Sequence, residues 1–385
     1  MEKKRLGDIC EIVTGATPKT NIKEFWDGDI NWITPAELTE DTYIINESLR
    51  KITTEGVEKT GLKSFPKGTV ILSSRAPIGK VAIAGCEMYC NQGFKNLVCS
   101  KQINNRFLYW YLKGHKEYLN SLGRGATFKE ISKAIVENIE ICLPTLEKQE
   151  KYADILEQCN GIIQIKKGQL RKLDTLVKSR FVELFGDPVI NSRGWKKALI
   201  GDDCFVTKLA GFEYTQYINY EDSGDVVMVK AQNVKNGKLN RKELSFVSNE
   251  VSDSLPRSQL ALGDVVMTYV GANIGDVAII DNEYKYHLAP NVAKIRPDSE
   301  RYNSIYFMYM LMLLNAYIVK NSADTAKAAL GMERIRKLNV FVPPMELQNQ
   351  FADFVTSIDK SKSKIQKSLE ETQLLFDSLM QKYFG

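Results

Sequence analysis

Two long segments of the chain carry apolar residues at alternating spacings of three and four positions. One series runs from 156 to 184 and the other from 355 to 383, and seven of the nine positions in each series are apolar. A narrow apolar stripe sustained over four heptads is typical of a coiled coil, so we predict two helices that pair along this seam. The alternative is that each stripe faces the core of its own domain. The predicted helix-pairing residues are Leu156, Ile163, Leu170, Leu173, Val177, Val355, Ile358, Ile365, Leu369, Phe376 and Leu379.

Four seam positions are polar, and we expect them to set the register of the two helices at some cost in stability. They are Lys166, Arg180, Lys362 and Thr372. Each helical segment begins just after a proline, in "CLPTLEKQE" and "VPPMELQNQ", which is a common helix entry. A helix of about 40 residues is roughly 60 Å long.

The two helical segments belong to an internal repeat. An offset of 199 aligns 144–186 with 343–385 without a gap, so that "LRKLDTLVKSRFVELFG" answers "LEETQLLFDSLMQKYFG". Upstream, "KKRLGDIC" answers "KKALIGDDC", and "GTVILSSRAPIGKVAI" answers "GDVVMTYVGANIGDVAI". The chain therefore contains two copies of one repeat, and each copy consists of a globular part followed by a helix.

Short β-rich runs separated by turn residues fill both globular parts, and each part then has one amphipathic helix, at about 106–122 and 303–320. We predict an α+β fold of two mixed α/β domains, related by a pseudo-twofold axis and separated by two long antiparallel helices that form a coiled coil. The predicted division is a first globular domain at 1–145, a central helix at 146–187, a second globular domain at 188–343 and a C-terminal helix at 344–385.

Amino-acid composition and net charge exclude few classes of protein. The chain is 44% hydrophobic and 26% charged, with a net charge of +5, which permits DNA binding without arguing for it. The apolar segment 306–319 is shorter than the roughly 20 residues of a membrane span, so a buried helix is expected. No secretory signal is recognisable, and a cytoplasmic location is predicted.

Enzymatic and metal-binding signatures are missing from the sequence. The stretch "APIGKVA" lacks the upstream glycine and the Ser/Thr of a phosphate-binding loop. The seven cysteines show no paired zinc spacing, and neither of the two histidines lies near a candidate nucleophile. We therefore predict neither catalytic residues nor a metal site, and reduced thiols.

Polar, glycine-containing loops recur at comparable places in the two units, and their residue types are those that reach phosphates and base edges. For the first unit, the candidate DNA-binding residues are Thr17, Lys19, Thr20, Arg75, Lys95, Arg124 and Lys129. For the second unit, they are Lys208, Tyr214, Gln232, Asn233, Lys235, Asn273, Asn291 and Lys327.

Over nearly its whole length the chain resembles the DNA specificity subunit of type I restriction-modification enzymes. The resemblance is carried by "TGATP" (14–18), "WDGDINWIT" (26–34), "SSRAPIGKVAI" (73–83), "AQNVKNGKLN" (231–240), "YHLAPNVAKIRP" (286–297) and the helices ending in "ELFGDP" and "QKYFG". The second unit departs from the pattern, because "KLAGFEYT" stands in place of the "TGATP" loop. Contacts of the first loop therefore do not transfer to the second.

The resemblance implies sequence-specific recognition of a bipartite double-stranded DNA target, with one half-site for each globular domain. It also implies that the helices set the half-site spacing and dock two modification methyltransferase subunits, which restriction/translocase subunits then join. S-adenosylmethionine, ATP and Mg²⁺ are expected in those partner subunits and not in this chain, which is expected to be non-catalytic. An enzyme with unrecognised sites and a protein-interaction scaffold without DNA contact remain the alternatives.

Overall fold

The computed structural model describes residues 2–125, 129–322 and 329–385. It divides into two compact units: unit 1 comprises Met1–Lys167 with Lys367–Gly385, and unit 2 comprises Gly168–Gln366. Each unit thus contains one globular part and about half of each long helix. These units cut across the four-part division expected from the sequence, and that division stays a prediction.

Unit 1 has a mixed globular part. Its strands are β1 (Glu2–Arg5), β2 (Cys10–Thr14), β3 (Trp26–Ile33), β4 (Ile44–Ile45), β5 (Arg50–Ile52), β6 (Val70–Leu72), β7 (Val81–Ala84), β8 (Tyr89–Cys90), β9 (Lys95–Cys99) and β10 (Glu140–Leu143). Its short helices are α1 (Leu6–Ile9), α2 (Thr54–Thr60), α3 (Asn105–Gly114), α4 (Lys116–Leu122) and α5 (Lys133–Glu137). The central long helix, α6, follows at Leu146–Phe185.

Unit 2 repeats this plan. Its strands are β11 (Lys196–Leu199), β12 (Cys204–Lys208), β13 (Val226–Val229), β14 (Val234–Lys235), β15 (Lys238–Leu239), β16 (Phe246–Val247), β17 (Gln259–Leu260), β18 (Val265–Thr268), β19 (Val277–Ile279), β20 (Lys285–Leu288), β21 (Val292–Pro297) and β22 (Asn339–Val342). Its helices are α7 (Ile200–Asp203), α8 (Gly211–Tyr217), α9 (Asn249–Ser254), α10 (Ser304–Ser322) and α11 (Met332–Arg336), and the second long helix, α12, is Met345–Phe384.

Sheet topology confirms the repeat read from the sequence. The order β2-β9-β6-β7 in unit 1 matches β12-β21-β18-β19 in unit 2, and β5-β3-β8 matches β16-β13-β20. In both three-strand groups the middle strand pairs antiparallel on one side and parallel on the other. Each unit then adds one strand of its own, β4 beside β7 in the first and β17 beside β20 in the second.

One predicted helix differs from the structure. The segment expected as a single helix over 106–122 is broken between α3 and α4 at His115, whose backbone leaves helical geometry at φ −101° and ψ 25°. The ring Nδ1 of His115 lies 2.8 Å from the carbonyl of Tyr111 and caps the end of α3. Helix α10 is the buried helix that the apolar segment predicted, with Phe307, Met310 and Leu311 fully buried. No helix among the described residues is long and apolar enough to cross a membrane.

Within unit 1, α6 and α12 pack antiparallel. The rings of Tyr152 and Tyr383 stack with centroids 3.9 Å apart, and farther along α6 the ammonium of Lys166 donates to the carbonyl and hydroxyl of Ser368, at 2.9 and 2.7 Å. Lys166 also donates to the hydroxyl of Thr372 at 2.7 Å. Two polar seam positions predicted from the sequence therefore contact each other.

Within unit 2, the halves of α6 and α12 pack with the same polarity. The ring of Phe351, near the start of α12, lies 5.4 Å from that of Phe181 and 5.7 Å from that of Phe185 at the end of α6. Lys362 pairs with Asp174. In both units, every seam position in the two heptad series is buried or partly buried. The ends of the seam also join the globular cores, through Leu156, Val177 and Val355 among others.

We predict that Lys166 and Thr372 fix the helix register in unit 1. Replacing both by leucine removes the polar contact and adds apolar surface, so the melting temperature should stay equal or rise while the register becomes mixed. Register can be read from the disulfide yield of a Tyr152→Cys/Tyr383→Cys pair, mapped by mass spectrometry. An undiminished yield in the leucine background would contradict the prediction, and a Lys178→Leu variant on an exposed position of α6 serves as control.

Candidate nucleic-acid interface

Three loops of unit 1 meet at one end of its five-stranded sheet. The amide of Ser74 donates to the carbonyl of Gly93 at 2.8 Å, and the amide of Ile131 donates to the carbonyl of Ser74 at 2.9 Å. These bonds join the loop after β6 to the loop before β9 and to the segment before α5. Distant sequence segments thereby place their polar residues side by side.

An ionic cluster lies where these loops meet. The Nε of Arg75 donates to Oε2 of Glu130 at 2.9 Å, and Nζ of Lys95 lies 3.2 Å from Oε1 of the same carboxylate. Lys95 also donates to the hydroxyl of Ser74 at 3.2 Å, and its side chain is only 8% exposed. Burial by itself raises the pKa of Glu130, but the hydrogen bonds from Lys95 and Arg75 outweigh it and hold the pKa below its usual range.

Lys95 was predicted to contact DNA, but in the structure its ammonium pairs with Glu130 inside unit 1. It is buried and bonded to unit 1, whereas Arg75 remains 45% exposed. Arg124 and Lys129 are exposed on the neighbouring segment, where the backbone of Arg124 bridges to Glu130.

Two tryptophans hold the first polar loop of unit 1. The indole of Trp32 donates to the carbonyl of Ala16 at 3.0 Å, and the indole of Trp26 donates to the carbonyl of Lys19 at 3.2 Å. These bonds fix the backbone around Thr17, Lys19 and Thr20 while the three side chains stay exposed.

The same loop approaches the backbone of β8 closely. A Cβ on Gly15 would lie 1.9 Å from the carbonyl oxygen of Cys90, so only glycine fits here. The hydroxyl of Thr17 donates to Oε1 of Gln92 at 2.6 Å, which links this loop to the one before β9. The guanidinium of Arg50 lies 3.7 Å from the ring centroid of Trp26 and adds a further cation beside the loop.

Unit 2 groups a different set of side chains. The ammonium of Lys208, at the end of β12, lies 5.5 Å from the ring centroid of Tyr269. The amide of Tyr269 donates to the carbonyl of Asn291 at 2.9 Å, so Lys208, Tyr269 and Asn291 lie together. Burial raises the pKa of Tyr269, which keeps its hydroxyl protonated at neutral pH.

A second group of unit 2 surrounds the segment that begins with Ala231. Lys230 lies 5.9 Å from the ring centroid of Tyr220, which packs against Tyr214 at 6.0 Å. Gln232 is exposed and contacts Glu243 at 3.4 Å. These aromatic and amide side chains are suited to stacking and hydrogen bonding.

Asn233 is buried and forms hydrogen bonds within unit 2. Its side chain is buried, accepts from the amide of Lys230 at 3.1 Å and donates to the carbonyl of Asn240 at 2.9 Å. The side-chain amide that was expected to contact DNA is therefore already hydrogen-bonded within a turn of unit 2. Lys235 and Asn273 are exposed, and Lys327 lies outside the described residues.

Several side chains at this interface were not among the sequence candidates. Glu130, Gln92, Arg50 and Tyr269 each contact a candidate residue or its loop. No local pattern marks them, because their role arises from loops that meet only after folding. Among the residues that the structure describes, no group of three or more His, Cys, Asp or Glu side chains could hold a metal ion.

Comparison with known proteins identifies the family. The model of the type I restriction modification DNA specificity domain matches the chain twice, at residues 1–175 and 193–372. This chain belongs to that family. The specificity domain is thus present once in each half of the sequence, in agreement with the repeat.

Individual relatives agree with this assignment. This chain is 30% identical to the type I restriction enzyme MjaIX specificity subunit of Methanocaldococcus jannaschii, over 98% of this chain and 91% of the relative. It is 21% identical to the EcoBI specificity subunit of Escherichia coli, over 83% of this chain and 75% of the relative. The S subunit of a type I system from M. genitalium has the same fold, with a TM-score of 0.62 at 15% identity over 100% of this chain and 96% of that one.

We predict that Asn233→Ala destabilises unit 2. The substitution leaves the partly buried amide of Lys230 and carbonyl of Asn240 without their side-chain partner, which costs about 1–3 kcal/mol. Urea or thermal unfolding measures the change. The neighbouring exposed Gln232→Ala should stay within about 0.5 kcal/mol of the wild type. Equal stability of the two variants would refute the structural role of Asn233.

Proposed function

We propose that this chain recognises a bipartite double-stranded DNA sequence, with each globular part reading one half-site. The observation that carries the proposal is that one fold occurs twice with different loop chemistry. Arg75 and Glu130 form an isolated bridge in unit 1, and Val270 and Ala329 form the corresponding bridge in unit 2. Two domains that recognise different half-sites can share one fold, but they must differ in the loops that contact the DNA.

The exposed side chains of the two tips support direct contact with DNA. Lys19, Arg124 and Lys129 in unit 1, and Lys208 and Lys235 in unit 2, carry positive charge on exposed loops or strand ends. Such residues bind phosphates and orient a reader on the duplex, while Arg, Asn, Gln and Tyr side chains contact base edges.

The paired helices are proposed as the spacer between the two readers and as the docking surface for two modification methyltransferase subunits. Restriction/translocase subunits then join this core. S-adenosylmethionine, ATP and Mg²⁺ belong to those partners in this proposal, and the chain itself performs no chemistry. The family assignment supports this division of labour.

In unit 1 the helix pair has an open face on which docking can be tested. Ile162, Ile165, Leu374 and Leu375 are 45%, 63%, 70% and 54% exposed. The globular part packs elsewhere on the helices, with Trp110 against Phe376 at 5.6 Å. Large exposed apolar side chains on neighbouring helices are typical of a protein interface.

Selection from a random pool of duplex DNA tests the recognition proposal. The chain in complex with its methyltransferase partner should enrich two short defined sequences separated by a constant undefined spacer. Enrichment of a single undivided motif, or of none, would contradict the proposal. Methylation or cleavage by the isolated chain would instead favour an enzyme with unrecognised sites.

The double substitution Ile165→Glu/Leu374→Glu should weaken methyltransferase docking. Charged carboxylates on the open face cannot be buried without partners, so we expect at least a tenfold loss of affinity, which corresponds to about 1.4 kcal/mol. Sedimentation or mass photometry of the mixed subunits measures it. Leu262→Glu, at a leucine that is 71% exposed on the globular part of unit 2, is the matched control. Loss of docking in the control alone, or in neither variant, would disprove the assigned surface.

A further inference from the structure

The Arg75–Glu130 pair in unit 1 is held by a third, buried group. Glu130 accepts from Nε of Arg75 with one carboxylate oxygen and from Nζ of Lys95 with the other. Lys95 is itself fixed by the hydroxyl of Ser74, and its side chain is buried. A carboxylate anchored in this way can restrict the orientation of the arginine that it holds.

The hydrogen bond to Glu130 engages only one edge of the Arg75 guanidinium. It uses Nε, and the side chain of Arg75 is 45% exposed. Among the described residues, no group accepts a hydrogen bond from either Nη of Arg75, so both can serve a ligand outside unit 1. A guanidinium held through Nε presents these two donors as a planar fork, which matches the O6 and N7 acceptors of guanine in the major groove.

The strand bridge at this position does not require a charged pair. The corresponding bridge in unit 2 is made by Val270 and Ala329, with the amide of Leu330 donating to the carbonyl of Tyr269 at 2.8 Å. The same strand arrangement thus forms with two apolar side chains. At this bridge the described residues are charged in unit 1 and apolar in unit 2, as expected of a device that distinguishes one half-site from the other.

An orienting carboxylate favours base reading over phosphate binding. A phosphate contact gains from positive charge and tolerates many side-chain orientations, so a neighbouring carboxylate only weakens it. A bidentate contact with a base edge gains from a fixed orientation. The Glu130 carboxylate is ionised at neutral pH, because Lys95 and Arg75 lower its pKa despite partial burial.

We propose that Glu130 is a positioning residue that sets specificity by holding Arg75 to read one guanine in the half-site of unit 1. The proposal rests on the bipartite recognition proposed above. Arg75 is the residue that contacts the base, and Glu130 acts through it. Lys95 holds the carboxylate and makes no base contact.

The test uses the full chain in complex with its methyltransferase partner and measures the affinity for the selected DNA target and for single-base variants of it. Wild-type protein should prefer G·C at one position of one half-site. Arg75→Ala should remove that preference, a change of about 5- to 150-fold, the range expected for one bidentate contact. Glu130→Gln should weaken the preference at the same position only, and leave the other half-site unchanged.

Matched variants separate positioning from folding and from charge. Arg75→Val introduces the residue of the unit 2 bridge and leaves the buried Lys95–Glu130 pair intact, so it should keep the wild-type melting temperature and still lose the guanine preference. Glu137→Gln, at an exposed pair with Lys133 in the same unit, should leave every base preference unchanged. Binding of Glu130→Gln to non-specific DNA should be equal to or tighter than that of the wild type, because a negative charge is removed.

Three results would overturn the positioning role. They are an unchanged preference in Glu130→Gln, an equal loss of affinity for all sequences, and a change at a base pair other than the one that Arg75→Ala affects. Failure of the wild type to enrich any split motif is a separate outcome, which contradicts the recognition proposal itself.

Discussion

The antiparallel packing of α6 against α12 is the interaction on which each unit depends. In unit 1, the residues that complete the core come from opposite parts of the sequence. Phe376, near the end of α12, packs on Trp110 of α3, and Leu379 joins the cluster that contains Leu156. Full burial of an apolar side chain of this size contributes about 1.5–3 kcal/mol, and the partly buried Phe376 and Leu379 contribute a share of that. The globular part of unit 1 therefore cannot bury its core fully until the last helix of the chain has docked.

Regular elements followed from the sequence because their periodicity is local. The runs around Val70–Leu72, Val81–Ala84 and Val292–Pro297 are strands, and both 40-residue helices begin within two residues of the prolines that introduced them. The break at His115 was not predicted, although it falls in the polar stretch 113–117, because it rests on the contact of the His115 ring with the backbone carbonyl of Tyr111. Local pattern predicts an element better than it predicts where the element ends.

The sequence predicts that the loops of the candidate nucleic-acid interface are polar and exposed, but it does not predict how these loops are arranged. Glu130 lies 55 residues from Arg75 and 35 from Lys95, and only the folded loops bring the three together. Likewise, the sequence "AQNV" marks Asn233 as a DNA-facing amide, whereas the turn that it closes makes it buried. A residue type indicates which contacts are chemically available, and the long-range pairing of loops decides which are made. The two units share their strand order and differ at these loops, so the scaffold and the reading surface vary separately.

The polar seam explains why stability alone does not account for the helix sequences. Leucine at position 166 would bury more apolar surface than a lysine whose ammonium must be satisfied by Ser368 and Thr372. These partners lie opposite Lys166 in the observed register. A slip of one heptad would move α12 by about 10 Å along α6. It would carry Phe376 away from Trp110 and Tyr383 away from Tyr152, so the core of unit 1 would lose its last contributors. A modest loss in seam stability thus protects a larger gain in the core, because register and core packing in unit 1 are set by the same pair of helices.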